Sequence, residues 1–154
     1  MKYFICGFMG AGKSTALKRI SENEKWFGYS FVDLDFKIFE KYGDGFEDLG
    51  ALIDKKGFEW FRKTEKDELV EVLSLENVWI ALGGGTLDDT TIEILSNKAN
   101  VAGYFLDTPF DVCLKRISKD KTSRPLGRLT DEELKELYEQ RKKNYSRFEP
   151  LVIL

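Results

Sequence analysis

Gly7 to Ser14 read Gly-Phe-Met-Gly-Ala-Gly-Lys-Ser, a G-x-x-x-x-G-K-[ST] loop set between a short apolar run and the start of a helical pattern. Glycines let the backbone take a partly left-handed path that turns successive N–H groups toward one point, and the helix that follows adds the positive end of its dipole. Such a loop holds polyphosphate. Lys13 reaches the β and γ phosphates as a point charge, and the Ser14 hydroxyl is placed to ligate magnesium.

A pair of carboxylates comes next, Asp33 and Asp35, in Phe-Val-Asp-Leu-Asp at the end of an apolar run. In an extended chain, residues two apart point the same way, so both carboxylates can face one crevice at the carboxyl edge of a sheet, where α/β folds bind ligands. One suits a magnesium ion and the other a substrate hydroxyl. An Asp after a strand is also a common helix cap, and both uses stay open. Gly83, Gly84 and Gly85 end a third apolar run; they let a backbone approach a ligand closely, or simply turn sharply. No Asp ends that run, so Asp33 is the better Walker-B carboxylate, ahead of Asp107.

Three arginines stand out. Arg62 precedes Glu65 by three positions, which on a helix is either a surface ion pair or part of a site. Arg124 lies in a Pro- and Gly-bearing charged stretch over 119–129 that reads as a lid, where a guanidinium can meet charge on a transferring phosphoryl group. Arg141 sits on the last helical pattern, either on a solvated basic face or beside Arg62 around an acidic small molecule.

The elements that position these groups alternate. Strands are expected over 2–6, 29–33, 78–82, 101–106 and 151–154, and helices over 14–23, 36–42, 46–55, 58–75, 88–96, 109–118 and 131–146. Continuous apolar strands such as Val-Trp-Ile-Ala-Leu at 78–82 suit a parallel sheet covered on both faces, which makes the class α/β. Thr108 before Pro109 and Thr130 with Glu133 mark helix starts. The stretch 35–75 exceeds one crossover helix and is expected to include a substrate-binding lobe.

At 154 residues the chain reads as a single domain, 1–154. With 42% hydrophobic and 33% charged residues it fits an ordinary globular protein, and a net charge of −3 with no basic stripe argues against a nucleic-acid partner. No apolar stretch approaches the roughly 20 residues of a membrane span, and Cys6 and Cys113 read as buried thiols of a reducing compartment, so a cytoplasmic location is expected. The absence of histidine excludes a phosphohistidine route.

Taken in order, the loop 7–14, Asp33-x-Asp35, Phe61-Arg62-x-x-Glu65, the glycine triplet, Arg124-Pro125-Leu126 and Arg141 ahead of Tyr145 resemble the shikimate kinase family, in the nucleoside monophosphate kinase-like branch of P-loop proteins. The resemblance implies a three-layer fold with strand order 2-3-1-4-5. It implies transfer of the ATP γ-phosphate to the 3-hydroxyl of shikimate, with magnesium; a monomer is the expected state. Gly10, Ala11, Gly12, Lys13, Ser14, Thr15, Arg116 and Arg124 would bind nucleotide, and Ser14 and Asp33 the metal. Asp35, Arg62, Gly84, Gly85 and Arg141 would bind substrate, and Lys13, Asp35 and Arg124 would carry catalysis. A kinase of another hydroxy acid such as gluconate, or a nucleotide-binding module without turnover, are the alternatives. Three features depart from the family pattern. Phe58 stands after Gly57 where a Glu is usual, with Glu59 one place later; Leu82 replaces a Thr or Ser near the triplet; and the sequence ends at Leu154, short of the loop and helix that usually flank adenine. Weaker nucleotide binding, or an adenine side covered by a partner, is the expectation from the last.

Overall fold

In a computed structural model, which describes residues 1–119 and 129–152, five parallel strands form one sheet in the order β2-β3-β1-β4-β5. The strands are β1 (Lys2–Cys6), β2 (Ser30–Asp33), β3 (Val78–Ala81), β4 (Val101–Phe105) and β5 (Glu149–Pro150). The helices are α1 (Lys13–Ser21), α2 (Leu34–Tyr42), α3 (Leu49–Lys56), α4 (Phe58–Val72), α5 (Asp89–Ser96), α6 (Phe110–Lys119) and α7 (Asp131–Tyr145). The expected strand order and parallel class hold. The expected lid, apart from Lys119 and Leu129 at its ends, lies outside the described residues, and Arg124 with it.

Alternate residues of β1 and β3 serve two cores, which is why these central strands are largely apolar. Phe4, Val78 and Ile80 pack with Leu34, Ile38, Leu69, Cys113 and Tyr145 from the helices. On the opposite face Ile5, Trp79 and Ala81 pack under Ala16, Leu17 and Ile20 of α1. Leu69 is wholly buried, and truncating such a leucine to alanine costs about 2–5 kcal/mol. Both cysteines are buried free thiols.

Helix starts follow their caps. Asp48 and Asp88 accept the amides of Ala51 and Thr91, and Thr130 with Glu133 forms the expected capping box. Pro109 sits one place before α6 rather than inside it, its carbonyl accepting from Val112 and Cys113. Two boundaries shift with consequences. α2 starts at Leu34, two residues early, because Asp33 caps it. The last strand pairs at 149–150 rather than 151–154: Phe148 N–H bonds back to the Tyr145 carbonyl right after α7, so the chain meets β4 sooner, and Leu151 N–H still reaches the Phe105 carbonyl at 2.8 Å.

Candidate active site

The loop between β1 and α1 owes its shape to two glycines in the left-handed region, Gly10 at φ +77° and Gly12 at φ +99°. A side chain at Gly10 would be strained and would also put Cβ 2.8 Å from the Cys113 carbonyl oxygen. Gly12 carries no side chain to cap α1, so the first-turn amides are open to an anion. Thr108 Oγ1 donates to the Ala11 carbonyl at 2.8 Å, and Arg116 Nη1 donates to the Gly10 carbonyl at 3.0 Å. Lys13 Nζ donates to the Gly7 and Phe8 carbonyls at 2.6 and 2.9 Å, inside the curl of the loop. Burial pulls its pKa down to about 8, against the opposing pull of Asp35, Cys6 and Asp33.

Ser14 and Asp33 are in direct contact, the Ser14 hydroxyl donating to Asp33 Oδ2. Asp33 Oδ1 accepts from Phe36 N–H at 3.2 Å. Asp33 thus caps α2 and lines the crevice at once. Asp35 reaches the crevice by another route than the one expected: it lies in the first turn of α2, so strand alternation is not what aligns it with Asp33.

Two cavities meet at these carboxylates. One of about 600 Å³ lies over the phosphate loop and is lined by Gly10, Gly12, Lys13, Thr15, Thr108 and Arg116. The other, about 500 Å³, is lined by Asp35, Phe61, Arg62, Glu65, Gly85 and Arg141. Met9, Ser14, Asp33, Asp35 and Gly84 line both and form the common wall. Asp35 Oδ1 is buried with no hydrogen-bond partner among the described residues. Burial raises the Asp35 pKa to about 6; Glu65 and Asp33 add to the rise, and Lys13 and Arg62 oppose it.

The second cavity has a positive end. Arg62 from α4 and Arg141 from α7 converge at Gly85, where an added Cβ would overlap Arg62 Nη2 and lie 2.8 Å from Arg141 Nη2. Gly84 lies against Met9 of the phosphate loop, at 3.1 Å from its amide nitrogen to an added Cβ. Arg141 Nη1 is buried without a partner among the described residues, and burial, with Arg62 beside it, lowers the Arg141 pKa. A buried guanidinium with an open donor wants an anion.

Arg62 is not in a surface pair. Its Nη1 donates to Glu65, which is 1% exposed, and the Phe58 and Phe61 rings lie 5.8 and 5.5 Å from its guanidinium carbon. Glu65 is held in turn by Thr86 Oγ1, which donates to it at 2.6 Å. Support for Arg62 therefore comes from Glu65 and two ring faces, while Glu59 is exposed. The hydroxyl missing at Leu82 has a counterpart on the far side of the triplet, in Thr86. Tyr145 donates to the Gly84 carbonyl, one helical turn from Arg141. In the sequence Glu65 is marked by its spacing from Arg62 and by the family-like motif, and Tyr145 by the motif alone; nothing marks Thr86.

A phosphate loop on a 2-3-1-4-5 parallel sheet, with a second cavity sharing its wall, defines a P-loop kinase of the nucleoside monophosphate kinase-like class. The shikimate kinase family profile matches residues 9–154, and the chain belongs to that family. A curated relative, the shikimate kinase of Persephonella marina, is 35% identical over 143 residues, covering 93% of this chain and 82% of the relative. Among solved structures, the shikimate kinase from Aquifex aeolicus vf5 aligns with a TM-score of 0.79 at 32% identity, covering 99% of this chain and 86% of that one. The shikimate kinase from Acinetobacter baumannii in complex with shikimate aligns with a TM-score of 0.83 at 26% identity, over 99% of this chain and 84% of that one. Kinase membership makes ATP the phosphoryl donor. Among the described residues no helix is long and apolar enough to cross a membrane.

Proposed function

We propose that this chain transfers the γ-phosphoryl group of ATP to the 3-hydroxyl of shikimate, giving shikimate 3-phosphate and ADP. The observation that carries the reading is the shared wall: Asp35, whose Oδ1 has no partner among the described residues, stands between a phosphate cradle and a cavity ended by two arginines. Arg62 and Arg141 take the substrate carboxylate, and Gly84 and Gly85 bring backbone against the ring. Fixed at that end, the substrate turns a ring hydroxyl toward Asp35, which accepts its proton as the phosphoryl group moves.

On the donor side, the amides from Gly10 to Thr15 and the Lys13 ammonium hold the phosphates, with Lys13 leaving its carbonyl partners for the β and γ oxygens. Ser14 and Asp33 together offer two hard oxygen donors and fit Mg²⁺, which takes few protein ligands beside water and phosphate. Bound there, the ion would neutralise charge on the β and γ phosphates. Arg116 lies at the nucleotide end of the cradle, and Arg124, from outside the described residues, is assigned to the transferring group. The reading includes a cytoplasmic monomer needing no nucleic acid or membrane.

A coupled assay of ADP release tests it. Release is expected to depend on both shikimate and Mg²⁺ and to be absent with gluconate. ADP binding without shikimate-dependent release would overturn it.

A further inference from the structure

Thr86 follows the glycine triplet, is 2% exposed, and touches neither cavity. Its amide closes the turn on the Gly83 carbonyl at 3.2 Å, and its hydroxyl donates to Glu65 Oε2 at 2.6 Å. Glu65 gives its other oxygen, Oε1, to Arg62 Nη1. One side chain therefore ties the glycine turn to the carboxylate that holds the arginine. The Phe58 and Phe61 faces attract the guanidinium but leave it free to turn in its plane, whereas a carboxylate fixes that direction.

The oxygens behind the turn are crowded. A Cβ on Gly83 would stand 2.7 Å from Asp35 Oδ1, 2.9 Å from Thr86 Oγ1 and 3.1 Å from Glu65 Oε2. A threonine hydroxyl has one proton to give, and here it goes to Glu65, while Asp35 Oδ1 has no donor among the described residues. The hydroxyl thus serves the recognition end of the cavity and leaves the reacting end free.

We propose that Thr86 is a positioning residue for acceptor recognition: by fixing Glu65 to the glycine turn it sets the direction in which Arg62 presents its guanidinium beside Arg141. The proposal rests on reading the smaller cavity as the acceptor site. It singles out a residue that no contact with substrate would reveal.

Thr86→Val keeps the shape and removes the donor, Thr86→Ser keeps the donor, and Thr86→Cys offers a weak one. The shikimate KM is expected to rise about tenfold in Thr86→Val, well beyond any fall in kcat or change in the ATP KM. Thr86→Ser returns to wild-type values and Thr86→Cys falls between. Peptide-mapped phenylglyoxal labelling reads the same effect without substrate: Arg62 is expected to react faster in Thr86→Val and at the wild-type rate in Thr86→Ser. A lowered melting temperature with unchanged shikimate KM and unchanged Arg62 labelling overturns the proposal, as does an equal loss in kcat and both KM values. A wild-type enzyme inactive on shikimate would sink the functional reading, and the labelling rates would then decide on Thr86 by themselves.

Discussion

The phosphate cradle and the acceptor cavity share a wall yet are built in opposite ways. The cradle is backbone: amides of one loop shaped by Gly10 and Gly12, with a lysine folded onto carbonyls of the same loop. The acceptor cavity is side chain: Asp35 from α2, Arg62 and Glu65 from α4, Arg141 from α7, gathered around a glycine turn. Burial also pushes their key groups in opposite directions, Lys13 down to about 8 and Asp35 up to about 6, each toward its neutral form. A backbone cradle serves any nucleotide because every amide is alike; selectivity for an acceptor has to come from the assembled side.

The sharpest break of that comparison is at the wall. Asp35→Asn keeps shape and removes the proposed base, and kcat should fall by about 10²–10⁴-fold, with ADP affinity by calorimetry unchanged; a matching loss of ADP affinity would mean the two sites are not separable at Asp35. Lys13→Ala should cost about 10²–10³-fold in kcat, with shikimate binding retained and no loss of melting temperature, because a partly desolvated charge is removed. Gly85→Ala acts on the other side alone. Its Cβ would meet both guanidiniums, so the shikimate KM should rise about tenfold, or ~1.4 kcal/mol, while the ATP KM stays within about twofold. An equal rise in both would show that the triplet serves the nucleotide as much as the acceptor.

The same contrast explains what could be read from the chain. The glycines, Lys13 and Ser14 of the cradle lie within one short run, so their types and order suffice for them, though not for Thr108 and Arg116, which reach the same loop across 97 and 106 positions. The alternation of apolar strands with helices points to the parallel class, and the strand order comes from the family resemblance. Asp33 and Asp35 were placed in the right crevice by the wrong geometry, since the Asp33 cap starts α2 before Asp35 and replaces strand alternation with a helical turn. Arg62 and Glu65 were legible as a pair but not as a buried one, because burial is set by what α4 packs against. The bonds from Thr86 to Glu65 and from Tyr145 to Gly84 span 21 and 61 positions, and no local pattern encodes contacts of that range.

The smallest expected effect bears on what holds the assembled side together. Glu68 of α4 is 1% exposed and accepts from Lys37 at 2.9 Å, Lys41 at 2.7 Å and the Tyr42 hydroxyl at 3.0 Å, all from α2. It joins the helix that carries Asp35 to the helix that carries Arg62, a link the cradle does not need. These partners hold the Glu68 carboxyl far below its ordinary 4.5, at about 2, against the opposing effect of burial. A depressed folded-state pKa stabilises the fold above the unfolded value and loses that contribution as pH falls through the folded one. Glu68→Gln should therefore lower stability at pH 7 by about 1.5–3 kcal/mol, the range for hydrogen bonds to a charged group, measured by urea unfolding. From roughly pH 4.5 downward the gap between wild type and variant should narrow, closing near pH 2. Because the link acts on the acceptor side, the variant's shikimate KM should move before its ATP KM does. A gap that stayed constant from pH 7 to pH 3 would show that the carboxylate charge of Glu68 does not join the two helices.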